Sequence, residues 1–187
     1  MSNVRAHQVH KLSLNQQRRD LVSVRRKEID DNSIQGFVLA SSDELVVLQY
    51  VYDFNLDGLM VLRASDITEV RCTATDKLQK GLLAQEGLVE RVPFGATFDL
   101  RNWQSVISQL AKEYALMILE CEASEEKGFV IGHVLKTTKT TVQVRHFSGA
   151  ANWAEYPETL KYKNITCCQV NTNYVNVYER HFARNAP

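Results

Sequence analysis

The sequence predicts a mainly β chain of the α+β class: two tandem small barrels or bent antiparallel sheets, joined by an amphipathic helix. Three observations predict it. A series of short apolar runs recurs in the same order after about 95 residues. Within those runs β-branched and aromatic residues alternate with polar ones, the signature of half-buried strands. Between the two series lies one segment whose apolar residues follow helical spacing instead.

The repeat sets the domain organisation, because repeated units govern everything read after them. Leu21-Val22-Ser23-Val24 opens the first copy, and Leu116-Met117-Ile118-Leu119 opens the second. Gly36-Phe37-Val38-Leu39 is answered by Gly132-His133-Val134-Leu135, and Leu45-Val46-Val47-Leu48 by Thr141-Val142-Gln143-Val144. After a variable loop, Asp66-Ile67-Thr68 is answered by Asn164-Ile165-Thr166. The expected divisions are an N-terminal tail over 1–19, a first β-rich repeat over 20–88, a linker with a helix over 89–114 and a second repeat over 115–187.

Each element follows from local chemistry. Val46 and Leu48, like Val142 and Val144, are expected to face a core on alternate strand positions. Ser42-Asp43, Asp57-Gly58, Ser148-Gly149 and Glu125-Glu126 read as turns between strands. Residues 75–88 predict a helix with Leu78, Leu82 and Leu83 on its inner face, capped by Thr75 or Asp76 and ended by Gly87. The corresponding stretch 173–182 mixes Val and Tyr and fits either helix or strand. In the linker, Asp99 or Asn102 can cap a helix on which Trp103, Val106, Ile107, Leu110 and Tyr114 form one apolar stripe. That stripe is expected to pack as core.

Composition excludes several function classes. Lys plus Arg and Asp plus Glu are both 22, so the formal net charge is zero, without the basic excess on which a dedicated nucleic-acid binder relies. No run of 18 apolar residues is present, and the N-terminus lacks an apolar signal core. A cytoplasmic protein that meets no membrane is expected. Cys72, Cys121, Cys167 and Cys168 form no CxxC pair and read as reduced, partly buried thiols.

The strand pattern, with Gly36 in an early strand and the segment Arg63-Ala64-Ser65-Asp66-Ile67-Thr68-Glu69-Val70, resembles the SH3-like and Sm-like small β-barrels. Sm-like proteins carry a similar basic–small–polar–Ile segment before their last strand, and Lys161-Tyr162-Lys163-Asn164-Ile165-Thr166 holds that place in the second copy. The resemblance implies tandem barrels and, by analogy, RNA binding. Ala64 and Tyr162 stand where the RNA-binding members carry glycine. The "GFV…DG…V…DIT" pattern is also similar to uncharacterised bacterial proteins, a resemblance that carries no activity of its own; a regulatory partner role in a bacterium fits by analogy.

No P-loop, GxGxxG, HExxH or GxSxG motif occurs, so neither a cofactor nor a metal is expected. The favoured reading is a noncatalytic module whose partner is another protein, with a homo-oligomer also allowed. Its candidate binding residues are Tyr50, Tyr52 and Phe54, placed by period two on one strand face, and Trp153 with Tyr156 in the long loop of copy two. The alternative is RNA or single-stranded nucleic-acid binding along a basic edge of Arg18, Arg19, Arg25, Arg26 and Lys27. A third reading is an enzyme centred on His133, His146 and Cys167 or Cys168, as a thiol–imidazole pair.

Overall fold

The computed structural model describes residues 2–123 and 128–185, and the expected turn at Glu125-Glu126 lies outside the described residues. The fold is mixed α+β, with ten antiparallel strands and four α-helices among the described residues. It divides into two compact units, Met1–Arg101 and Asn102–Pro187.

The first unit runs α1 (Ser2–Arg18), β1 (Leu21–Arg26), β2 (Asp30–Ser41), β3 (Leu45–Tyr52), β4 (Asn55–Arg63), a 3-10 turn (Ala64–Asp66), β5 (Glu69–Arg71) and α2 (Ala74–Gln85). Its strand order is β5-β1-β2-β3-β4. The second unit runs α3 (Trp103–Glu113), β6 (Met117–Cys121), β7 (Gly128–Thr137), β8 (Thr141–His146), β9 (Glu158–Lys161), a 3-10 turn (Tyr162–Asn164), β10 (Cys167–Val170) and α4 (Asn173–Arg184). Its order, β10-β6-β7-β8-β9, is the same order one unit later.

The correspondence extends to register. Gly36 pairs with Tyr50 and Gly132 with His146, and each of these second strands slips register two residues on, between Val38 and Ala40 and between Val134 and Lys136. A bulge bends its strand, and the two glycines permit the bend. A Cβ on Gly36 would lie 2.6 Å from the Gln49 carbonyl oxygen, and one on Gly132 only 2.0 Å from that of Arg145.

The Ile-Thr segment has a structural job in both units. Ile67 and Ile165 are buried. The Thr68 hydroxyl donates to the Arg25 carbonyl (3.1 Å) and accepts from the Lys27 N–H (3.2 Å). The Thr166 hydroxyl donates to the Glu120 carbonyl (3.1 Å) and accepts from the Glu122 N–H (3.2 Å). Each threonine thereby extends the pairing of its last strand onto the first strand of its unit.

Several sequence expectations change. The segment 1–19 is no tail. It carries α1, anchored by buried Leu12 and by Gln8, whose side chain accepts from the Val70 N–H (3.1 Å), while Gln16 donates to the Leu39 carbonyl (2.9 Å). Both polar partners are distant in sequence, so periodicity could not show them. Asp57-Gly58 is not the turn after β3. The turn is Asp53-Phe54, both with positive φ (45° and 58°), and Gly58 (φ 74°) sits at a bulge within β4. Of the three leucines expected inside α2 only Leu83 is buried, whereas Leu78 is 64% exposed and Leu82 is exposed as well. Strand β3 does not alternate: Leu45 through Gln49 are all buried. Strand β8 does alternate, with Val142 and Val144 inside.

The helix ends obey the usual rules. Thr73 caps α2 in a capping box with Asp76. After it, Gly87 at φ 67° donates to Ala84 and Leu88 donates to Leu83, a Schellman closure. Asn102 caps α3, whose Trp103, Val106, Ile107 and Leu110 are buried as the stripe predicts. The ambiguous second tail is helix α4, capped by Thr172.

Candidate functional site

In the first unit, the β3–β4 connection is a two-residue turn with both residues at positive φ, the geometry that matches the twist of paired strands. Asn55 Nδ2 donates to the Asp53 carbonyl (2.9 Å), which fixes the turn from one side. Tyr52 ends β3 and Phe54 occupies the turn, so Phe54 does not continue the strand face on which the period-two spacing placed it. The result still brings the aromatics together at one tip. Tyr50 and Tyr52 have ring centroids 6.2 Å apart. Tyr52 is 64% exposed and Phe54 47%. Tyr50 is half-buried. Large apolar rings held exposed on a fixed turn have little conformational entropy left to lose on binding.

In the second unit, Tyr156 is fully in solvent on the long loop, while Trp153 is half-buried. Trp153 is not a free recognition side chain. Its residue bridges Phe147, its ring lies against Phe147 and Phe182, His133 stacks on it at 5.1 Å, and the Arg145 guanidinium sits over it at 4.8 Å. These partners come from β7, β8 and α4, so the loop is stapled back onto its own unit. Exposed rings here are Tyr156, Phe129 and Tyr174, the last two meeting edge-to-face at 6.3 Å.

The five basic residues do not line a strand edge. Strand β1 lies between β5 and β2, so it has no free edge. Arg26 is buried, Arg25 is half-buried, and Lys27 is exposed in the following turn. Arg18 and Arg19 close α1, and Arg19 turns over the Phe94 ring at 4.9 Å. Arg19 and Phe94 line an open groove of about 430 Å³ with Glu90, Val92 and Pro93.

The thiol–imidazole reading also fails on geometry. Burial, with Glu120 nearby, pushes the Cys168 thiol up to about 12, which keeps it protonated and unreactive. Cys167 is buried as well, on β10, which the strand order separates from β7 and its His133 by β6. The His133 Nδ1–H is committed to the Ala115 carbonyl (2.7 Å) and its ring face to Trp153. His146 Nδ1 is buried without a hydrogen-bond partner among the described residues. Among the described residues, no group of three or more His, Cys, Asp or Glu is placed to hold a metal ion. No helix among them is long and apolar enough to cross a membrane.

The polar cluster that sequence reasoning missed is structural in kind. Asp76 is 2% exposed and accepts from the Thr73 N–H and hydroxyl, the Ser23 hydroxyl and Gln35 Nε2, at 2.7 to 2.9 Å. Burial raises its carboxyl, but the bonds from Thr73, Gln35 and Ser23 outweigh that and hold it below the ordinary carboxylate value. No family model, curated protein or solved structure matches this chain.

Proposed function

We propose that the chain is a noncatalytic protein-binding module built from two small barrels of Sm-like or SH3-like topology, and that the Tyr52–Phe54 tip is its contact surface. The barrel reading is supported by the strand order of each unit, fifth-first-second-third-fourth, and by the 3-10 turn before each fifth strand. The binding reading rests on one observation: two large aromatic rings, Tyr52 at the end of β3 and Phe54 in the two-residue turn after it, stand in solvent. A turn needs no aromatics, and exposed aromatics on a rigid support are the commonest anchors of protein interfaces. Asp53 and Asp57 lie on the same hairpin, so the favoured partner surface is apolar with a basic rim.

The test is site-specific cross-linking in the source cell, with a photoreactive group at position 54 and, for comparison, at the exposed Leu78 on α2. A partner captured from position 54 and not from position 78, and bound at least tenfold more weakly by Tyr52→Ala/Phe54→Ala, is the expected result. Undiminished binding by the double variant would overturn the reading. Retardation of mixed-sequence RNA at low salt, lost steeply as salt rises, would move the assignment to nucleic acid.

A further inference from the structure

Strand β5 is the outer strand of the first unit, and its middle residue turns its backbone outward. The Val70 N–H donates to the Gln8 side-chain oxygen of α1 (3.1 Å), not to its neighbour strand β1, and that contact is buried. An outward strand amide is a template for another strand, and covering it is a standard protection. The cover is supplied by a helix that Gln16 also ties to the Leu39 carbonyl of β2, but that buries little of itself. Of its described side chains only Gln8 and Leu12 are buried.

The covered edge is self-complementary. It reads Glu69-Val70-Arg71, and Arg71 Nη2 lies 2.8 Å from Glu69 Oε2, so both charges stand on the face opposite buried Val70. In an antiparallel pair centred on Val70, the two valines of two copies exchange both backbone bonds. Glu69 of each copy then faces Arg71 of the other, an opposite-charge pair twice over. We propose that α1 is a strap over this edge, and that lifting it lets β5 pair with β5 of a second copy in a two-fold dimer. The dimer is isologous, so it closes and does not grow into fibres.

Sedimentation velocity across a wide concentration range tests this on the full chain. The wild type is expected to stay monomeric. Leu12→Asp, which expels the anchor of α1, and Gln8→Ala, which uncovers the Val70 amide, are expected to give a reversible dimer. In the Leu12→Asp background, Glu69→Arg should abolish the dimer, because position 69 then faces Arg71 with like charge. Glu69→Arg/Arg71→Glu should restore it. Glu69→Arg and Arg71→Glu proteins, each monomeric alone, should dimerise on mixing.

Monomers throughout, with far-UV circular dichroism intact, would overturn the proposal, as would a dimer indifferent to these charges. If Leu12→Asp does not fold, the same charge series in Gln8→Ala decides. Tyr52→Ala/Phe54→Ala should leave the dimer unchanged, so failure here and failure of the binding tip are read separately.

Discussion

In the first unit the helix after the fifth strand is tied to the sheet by a buried carboxylate. In the second unit the corresponding helix sits on hydrocarbon. Asp76 of α2 accepts from Ser23 on β1 and Gln35 on β2, two residues that face each other across the strand pair. In the second unit, Ile118 on β6 faces Ile131 on β7, and both join Val175 of α4, Leu116 and Phe147 in one buried cluster. Ser23, Gln35 and Asp76 thus match Ile118, Ile131 and Val175 position for position. The backbone scaffold is common and the chemistry that closes it is opposite. Apolar burial is non-directional and indifferent to pH. The carboxylate lock is directional, depends on all its donors, and titrates.

The sharpest break in the comparison lies at the glycines of the second strands, where both units share one solution. Gly132→Ala must push a methyl group against the Arg145 backbone at 2.0 Å, while Gly36→Ala meets the Gln49 carbonyl at 2.6 Å. Neither obstacle is a flexible side-chain end. Gly132→Ala should cost about 3 kcal/mol or more and Gly36→Ala somewhat less, as overpacking against backbone does. Thermal melts resolve the units, because both tryptophans, Trp103 and Trp153, lie in the second one. Tryptophan fluorescence should register Gly132→Ala and miss Gly36→Ala. A reversed order of the two costs would show that the sheets bend elsewhere.

Exchanging the locks singly comes next in size. Val175→Asp puts a carboxylate among Leu116, Ile118, Ile131 and Phe147 without the serine and glutamine donors of the first unit, and should destabilise the second unit by about 3 kcal/mol. Asp76→Ala removes the acceptor of four hydrogen bonds and leaves the half-buried Ser23 hydroxyl and the Thr73 cap without it, while Gln35 keeps its bond to Gln79, and should cost the first unit about 2 kcal/mol. Denaturant midpoints followed by circular dichroism and by tryptophan fluorescence assign each loss to its unit. If Asp76→Ala moves neither, the carboxylate is not what holds α2.

These locks also show what the sequence made legible. The repeat could be read from Gly36 and Gly132 and from the two Ile-Thr segments, because close backbone approach and a strand-clamping hydroxyl each demand one residue type. The α3 stripe could be read because an apolar face has a period. Asp76 was seen only as a helix cap, since its partners Ser23 and Gln35 are far away in sequence. Gln8 was invisible as a strap for the same reason. Phe54 was placed on the strand face with Tyr50 and Tyr52 because a phenylalanine does not advertise positive φ, while Asp57-Gly58, which does, is spent on a bulge. Of the proposed contact residues, Tyr52 and Phe54 came together at the tip, but Trp153 went into its own unit's aromatic cluster. Composition cannot separate a ring that recognises from a ring that staples.

Acid should separate the units more gently. The folded Asp76 carboxyl titrates below its unfolded value, so its contribution is fully present above an ordinary carboxylate value of about 3.9 and is lost as pH falls through the lower, folded value. Below pH ~4, amide exchange should therefore quicken at the start of α2 earlier than at the start of α4, where Val175 stands in place of the carboxylate and does not titrate; the carboxylate tie that α4 does have, Glu179 to the Leu116 N–H, lies farther along the helix. Equal loss of protection in both helices over that range would place the acid sensitivity outside the lock.

The smallest expected effect is the most informative. Ser23→Ile, Gln35→Ile and Asp76→Val together install the second unit's chemistry in the first. Asp76→Val alone leaves the Ser23 hydroxyl and the Thr73 cap without their acceptor and should cost about as much as Asp76→Ala. The triple variant removes the Ser23 and Gln35 donors together with the acceptor, and replacing both partners of a buried hydrogen bond by hydrocarbon of fitting shape is often neutral or stabilising. Its stability near neutral pH should fall within about 1.5 kcal/mol of the wild type. The non-additivity between the single and triple variants then measures the network's coupling. The acid sensitivity of α2 should shrink in the same protein. If the triple variant keeps that sensitivity, a second titrating group is at work in the first unit. If it is as unstable as Asp76→Val, the first unit's helix is shaped around the carboxylate and the two locks are not interchangeable. The capping box bears on that outcome, because Asp76 also accepts from the Thr73 N–H at 2.7 Å. Thr172 caps α4 with no such return bond from Val175, a side chain without an acceptor, so the second unit already demonstrates a helix start that functions without it.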